Sequence, residues 1–471
     1  MIIERSHYHL LRITLEAKSA HGIHTGHGDT THDSLVVRDA NGLPTLPGSS
    51  IAGVLRHQFT KQYGMDASNK LFGYINQESQ SQASWLTVAW GMIHDSHNQP
   101  LEGLLAQHEK DELLKDLLDD KPIVRQRVRL NEYGTAEDTG KFDTTWIPAG
   151  ARYTTWIAYW CDGSEQSTQL WESFLSVLKQ PQLHIGKGTR SGTGLFELIS
   201  LHQGHWDLCT PEGRKGYTER PRARKDTRGL TQVSASSYTG HVMTMQLQAE
   251  SAWRIGGGER LILNAQSTQD KEPDLLPMHE SRITWSKGRG TLNSSQCYLL
   301  PATAIKGALR HRIAYHYRCL EGKFSGNDSI ESTDDCLAVR ELFGYANADN
   351  ASAGILVIHD IMISHTKAKQ MMHNKIDRFT GGVIDGALFS ELVLWNTPIT
   401  LTIEVFEHTN SKISIKTRKA LALALEDLAS GWLPLGAGGS RGLGMFYNPD
   451  EQGAKWSDQG QWINMAEGVP V

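Results

Sequence analysis

The chain repeats itself, and no other feature limits its fold so sharply. Leu46-Pro47-Gly48-Ser49-Ser50-Ile51-Ala52-Gly53-Val54-Leu55-Arg56-His57 is answered by Leu300-Pro301-Ala302-Thr303-Ala304-Ile305-Lys306-Gly307-Ala308-Leu309-Arg310-His311. Leu71-Phe72-Gly73-Tyr74 returns as Leu342-Phe343-Gly344-Tyr345, and each copy precedes an apolar strand ending in His94-Asp95 or His359-Asp360. The glycine loop from Ile185 to Phe196 matches the one from Leu435 to Phe446 without a gap. Four landmarks recurring in one order define a tandem duplication. The halves are residues 1–210 and 238–471. Between them, 211–237 reads as a basic linker, with seven basic residues from Arg214 to Arg228 against Glu219 and Asp226. Its Pro221, its Gly229 and its lack of periodicity mark a domain boundary, and its charge equally allows an RNA-contacting strap.

Each half opens with period-two alternation, His9 to Ala17 and His241 to Ala249, which is the pattern of a half-buried strand. After Pro47 and Pro301 the period becomes helical, through Ile51, Val54, Leu55 and Phe59 in one half and Ile305, Leu309, Ile313 and Ala314 in the other. Ser49 or Ser50 is expected to cap the first helix, whereas Ala302-Thr303-Ala304 caps the second more weakly. A further helix is expected before each glycine loop, at 170–178 and 417–428. Strand, helix, strands, helix, strand is the order of a ferredoxin-like unit, so the expected fold class is α+β with two such units.

Composition narrows the setting. At 471 residues the chain is long enough for several cores, and 39% hydrophobic with 21% charged residues excludes a disordered or fibrous chain. The expected protein is soluble and cytoplasmic, with no membrane span and no signal peptide's apolar stretch after Met1. Five cysteines without a CxxC pair argue against a disulfide framework and a thiolate zinc site. A net charge of −5 does not signal a nucleic-acid binder, but binding depends on local basic surface.

Chemistry-bearing residues gather in the loops. Asp33 lies between the first strand and helix of its half; Asp274 lies in the corresponding stretch, with Asp270 as a rival alignment. A loop Asp is commonly a turn former, but these two sit in a repeated element beside basic groups. His21, His24, His27 and His32 crowd around glycines that disfavour a helix, so no stable metal cage is expected there. The glycine loops, with Lys187 and Arg190 or with Arg441, bring backbone N–H groups to phosphates but lack the spacing of a nucleotide-binding loop. Two hairpins are expected. One carries Arg125, Arg127 and Arg129; the other runs Lys375-Ile376-Asp377-Arg378-Phe379-Thr380-Gly381-Gly382. An aromatic beside arginine on a hairpin can wedge between bases while neutralising phosphates.

Together these motifs resemble the RAMP superfamily, specifically the repeated backbone subunit of type III CRISPR-Cas effector complexes, over nearly the whole chain twice. The resemblance implies two modified ferredoxin-like (RRM-like) domains, each with a β-hairpin thumb that pins guide crRNA. It implies target-RNA cleavage by the loop Asp, with Mg²⁺ or another divalent cation and attack by the ribose 2′-OH. Asp33, in Asp-Ser-Leu-Val-Val-Arg-Asp, matches that position closely, with His24, His32 and Arg38 nearby. Expected RNA contacts are Arg38, Ser49, Ser50, Arg56, Arg127, Arg129, Lys187, Arg190, Lys306, Arg310, Lys375, Arg378, Phe379 and Arg441. Partners would be crRNA, target RNA and other effector subunits. Two alternatives remain open: a non-catalytic RNA-binding scaffold, and a metal-independent guide-processing ribonuclease relying on His24 or His32. Ala52 stands where the second half has Lys306, and about 13 extra residues between Glu280 and Leu300 are expected to disturb the Asp274 site.

Overall fold

The computed structural model describes residues 5–26, 34–75, 81–118, 123–131, 134–236, 240–256, 273–293, 297–323, 332–346, 351–364, 366–406, 413–450 and 453–464. Each half is an antiparallel sheet backed by helices, and the two sheets share one plan. In the first, Leu86–Val88, Arg152–Cys161, His7–Ala17, Leu195–Asp207 and Gln182–His184 lie side by side in that order. In the second the order is Leu356–Ile358, Pro398–Val405, His241–Ala249 and Phe446–Tyr447. The registers agree residue for residue: Leu10 faces Ala158 as Val242 faces Glu404, and Leu15 faces Tyr153 as Leu247 faces Ile399.

The alternation seen in sequence survives in only one of the two opening strands. His241–Ala249 keeps a buried face of Met243, Met245 and Leu247 and leaves Gln246 exposed. His7–Ala17 is buried on both faces, Arg12, Thr14 and Glu16 included. At Tyr8, Leu10 and Arg12 the cause is the segment read as a linker. Thr210 caps a helix over Pro211–Glu219, Tyr217 and Leu230 pack on Tyr8, Leu10 and Trp206, and Thr231–Val233 adds a strand beside Leu195–Asp207. Arg224 pairs with Glu102 at 2.7 Å, and its carbonyl accepts a hydrogen bond from Arg12 Nε. Residues 211–233 therefore belong to the first half's fold, and part of their positive charge is used inside it.

The helices after Pro47 and Pro301 span Gly48–Phe72 and Ala302–Leu320, burying Ile51, Leu55 and Phe59 in one case and Ile305, Leu309 and Ile313 in the other. Neither starts with a side-chain cap from its own turn: the N-cap residues are the prolines, and Ser49 and Ser50 lie inside the first turn. The second helix is capped from afar, because Asp360 Oδ1 accepts the Ala302 N–H at 2.8 Å.

The insertion after Glu280 is a hairpin, Arg282–Ser286 paired with Arg289–Asn293, turning through Lys287 and Gly288 at positive φ. It leaves Asp274's loop connected to its own half and reaches across to the other. Ile283 joins the first half's core, its N–H bonds Ala149 O at 2.8 Å, Trp285 Nε1 donates to Gly150 O at 2.7 Å, and Arg152 stacks 4.4 Å over Trp285. The expected disturbance of the site is thus a clasp between the halves.

Candidate nucleic-acid interface

The loops that carry the candidate aspartates run in the same register. Val37 N–H bonds Ile23 O at 2.7 Å, and Met278 N–H bonds Ile255 O at 2.6 Å. Four residues before Val37 is Asp33; four before Met278 is Asp274, whereas Asp270 falls eight before. Asp33 and Asp270 lie outside the described residues, as do His27 and His32. Asp274 is tied to the root of the second hairpin, Lys367–His373 paired with Phe389–Trp395: its Oδ2 accepts the Ser390 N–H at 2.8 Å and the Ser390 hydroxyl at 3.2 Å. One position further along the first half's hairpin and loop, the Thr145 hydroxyl donates to Ser34 O at 3.1 Å.

The two halves together build a basic cluster. The first glycine loop, with a short turn of helix at Thr189–Ser191, packs against the start of the second half's long helix. Lys306 Nζ lies 3.5 Å from Arg190 O, Arg190 stacks 4.9 Å over Phe406, and Arg127 stacks 5.5 Å over Trp146. Burial, then the charges of Arg310, Arg190 and Arg127, bring the Lys306 amine down to about 8. Arg310 and Arg129 both pair with Asp334, Arg129 at 2.5 Å. Four cations drawn from both halves, one of them an amine depressed by burial and then by its neighbours, form a region that an anion would stabilise.

The other expected contacts fall into two groups. Lys187, Ser49, Lys375 and Arg378 are exposed, and Phe379 is 99% exposed on a turn whose Asp377 Oδ1 accepts the N–H groups of Phe379 and Thr380 at 2.9 and 2.8 Å. Arg38 serves structure instead, donating to Gly42 O and Leu117 O, each at 2.7 Å. Arg56 bonds Asn69 Oδ1 at 3.0 Å, Ser50 is half-buried in its helix, and Arg441 lies 3.5 Å from Glu391.

Sequence reasoning misses the most buried charges. Arg125, 2% exposed, makes a two-pronged contact with Glu280 at 2.7 and 2.9 Å and a third with Asp360 at 2.8 Å. Burial disfavours its charge, but Asp360 and Glu280 outweigh that and hold the guanidinium above the usual arginine range; burial lifts the Glu280 carboxyl even beside Arg125. Glu391, fully buried, takes Arg254 at 2.9 Å and His373 at 2.7 Å. A second bridge between the halves joins Glu404 to His359 at 2.8 Å and His184 at 3.4 Å. Hairpin spacing alone could mark Arg125 as inward-facing, but nothing local identifies its partners.

Of the histidines that invite a metal reading, the two among the described residues, His21 and His24, serve packing. His21 bonds the Tyr153 hydroxyl at 2.8 Å and is brought by burial to about 3, and His24 bonds Thr145 O at 3.0 Å. Among the described residues, one group juxtaposes metal-type ligands, Asp95, His97 and Asp111. Its carboxylates already accept local N–H groups: Asp111 caps a helix and Asp95 closes a turn. Among the described residues no helix is long and apolar enough to cross a membrane.

A family model described as the RAMP superfamily matches residues 14–197 and again 246–447. The chain belongs to the RAMP superfamily, twice over. No curated protein matches the sequence significantly. Among solved structures, a chain in one titled "Type III-B Cmr-beta Cryo-EM structure of the Apo state" is similar at 14% identity and a TM-score of 0.30, over 40% of this chain and 96% of its own.

Proposed function

We propose that this chain is a backbone subunit of a type III CRISPR-Cas ribonucleoprotein that binds guide crRNA and cleaves complementary target RNA at Asp33 and Asp274. The observation that carries the reading is the repetition of one loop, in one register, in both halves. In the described copy its Asp is fixed to a hairpin root, and a basic cluster is shared between the halves. Guide phosphates would lie along Lys306, Arg190, Arg127 and Lys187, while Phe379 at the hairpin tip would wedge between bases.

In the cleavage step the ribose 2′-oxygen attacks the adjacent phosphorus and the bond to the 5′-oxygen breaks. The products are a 2′,3′-cyclic phosphate and a 5′-hydroxyl. Asp274, oriented by Ser390, would accept or align the proton of the 2′-OH, and the leaving oxygen takes a proton from water. One carboxylate among hard oxygen donors fits a water-rich divalent ion better than a protein cage. Such an ion, when bound with RNA, would stabilise charge on the phosphate oxygens.

The test is an assembled complex given labelled RNA complementary to its guide, with wild type, Asp33→Ala, Asp274→Ala and the double variant, in Mg²⁺ and in EDTA. Each single variant should lose one distinct cut, and EDTA both. A scaffold reading draws support from Asp274's engagement with Ser390. It would be established if both single variants cut like wild type.

A further inference from the structure

We infer that the root of the second hairpin, around Met372 and Leu388, docks a partner protein through an apolar socket and does not take a second copy of this chain.

The contact between the halves is the template. It is heterologous: the first half gives a hairpin root and a glycine loop, and the second receives them with Glu280, Asp360, the start of a helix and the clasp. The second half carries the same giving surface. Arg125 faces Thr144 across its hairpin as Met372 faces Ser390, and Thr144 and Ser390 hold matching positions ahead of the sheet strands. Arg125 is 2% exposed because the other half covers it; Met372, on the same rung, is 58% exposed. The glycine loops show the same contrast independently. Asp360 and Ala302 leave no room for a Cβ at Gly192, whereas a Cβ at its counterpart Gly442 meets nothing within 4 Å. Leu388, two residues before Ser390, is 56% exposed, and Ile376 and Val383, bridged to each other further out, add exposed apolar surface.

A second copy would meet this surface with its first half, and that half has lost the receiving chemistry. Asp39 and Asp95 stand where Glu280 and Asp360 stand. Asp39 accepts the N–H groups of Asn41 and Leu43, and Asp95 those of His97 and Gln99. The clasp is absent from that half, and Ala52 replaces Lys306. On the giving side, Asn396 takes the place of Gly150, whose missing side chain is what lets Ile283 O approach. Burying those carboxylates against Met372 would leave charge unpaired. An apolar socket meets no such cost. Because Asp274 is fixed to Ser390, on the face that carries Met372, such a partner would seat beside the second candidate site.

The inference does not depend on RNA cleavage. Light scattering of the purified full chain should give a monomer; a dimer abolished by Met372→Glu would overturn it. Assemblies purified through a tag on this chain should then be compared for wild type, Met372→Glu and Leu388→Glu, with a photo-crosslinker at position 372. Each variant should lose one subunit at least tenfold and keep its circular dichroism, and the crosslink should fall on an apolar peptide of that subunit. Unchanged subunit composition, or a crosslink to RNA, to an acidic surface or to another copy of this chain, sinks the idea. Guide RNA is measured in the same preparations, so its absence would count against the proposed function while leaving the docking result readable.

Discussion

Two hairpins occupy matching places in the two halves, and they have been put to opposite uses. The first anchors its root in the neighbouring half through Arg125 and exposes Val128 and Leu130 further out; the second leaves its root apolar and open and carries Phe379 at its tip. The sheets beneath them agree residue for residue, so duplication preserved the frame. What diverged is the surface that each half turns toward its neighbour. In this chain interface chemistry is written on hairpin roots and loop ends, over a core that barely registers the difference.

The sharpest way to break that comparison is to exchange the two root residues. Arg125→Met leaves Glu280 and Asp360 buried without their cation and should cost about 3–5 kcal/mol. Adding Glu280→Gln and Asp360→Asn should recover most of the loss, since the side-chain amide oxygen introduced at position 360 can still accept the Ala302 N–H. The reverse change, Met372→Arg, lands on an open surface and should move stability by less than about 0.5 kcal/mol. Urea unfolding of the full chain measures all three. Equal costs for the two exchanges would mean that the roots are not differently employed.

A pH series sharpens the same contrast inside the sheet, where Glu404 in one half matches Ala158 in the other. Burial alone would raise the Glu404 carboxyl, but hydrogen bonds from His184 and His359 outweigh it and hold the group at about 2, below its ordinary 4.5. A depressed carboxyl contributes stability that is complete above pH 4.5 and is lost as pH falls toward 2. The loss should reach roughly 3 kcal/mol over that window, and Glu404→Gln should flatten the curve. Because His184 belongs to the first half, a distance label across the halves should report separation before the cores melt. A Glu404→Gln curve as steep as wild type would assign the acid sensitivity elsewhere.

How much of this was legible in the sequence depends on the range of the signal. The duplication, the helical and strand periods and the matching positions of Asp33 and Asp274 are local patterns, and the sequence carries them twice. The Arg125 contacts join residues 155 positions apart with Glu280, and no short-range pattern records such a pairing. The strap over the first sheet was hidden by its own charge: Tyr217 and Leu230 anchor it, but they sit among seven basic residues that read as solvated. The clasp was readable in principle. Ile283 and Trp285 alternate with polar residues ahead of Lys287-Gly288, which is a hairpin signature, but its target in the other half was not. The helix caps were misassigned because proline sets the entry geometry, while the second cap arrives from Asp360 on a distant strand segment.

The smallest expected effect tests the shared basic cluster, where Lys306 in the second half is matched by Ala52 in the first. With its amine at about 8, below the usual 10.5, Lys306 is a cation that the unliganded fold disfavours, so stability should rise slightly as pH climbs from about 8 toward 10.5. A guide phosphate beside it reverses the preference and draws a proton on. Guide-RNA binding should therefore be accompanied by proton uptake near pH 8–9, visible as binding heats that differ between buffers of different ionisation enthalpy. Lys306→Met should abolish the difference and lower the slope of log affinity against log salt by about one, with affinity falling for all guide sequences alike. Ala52→Lys asks the converse question of the first half. If that half still tracks the same phosphate path, the slope should steepen by about one; an unchanged slope would place the duplicated helix off the RNA on that side.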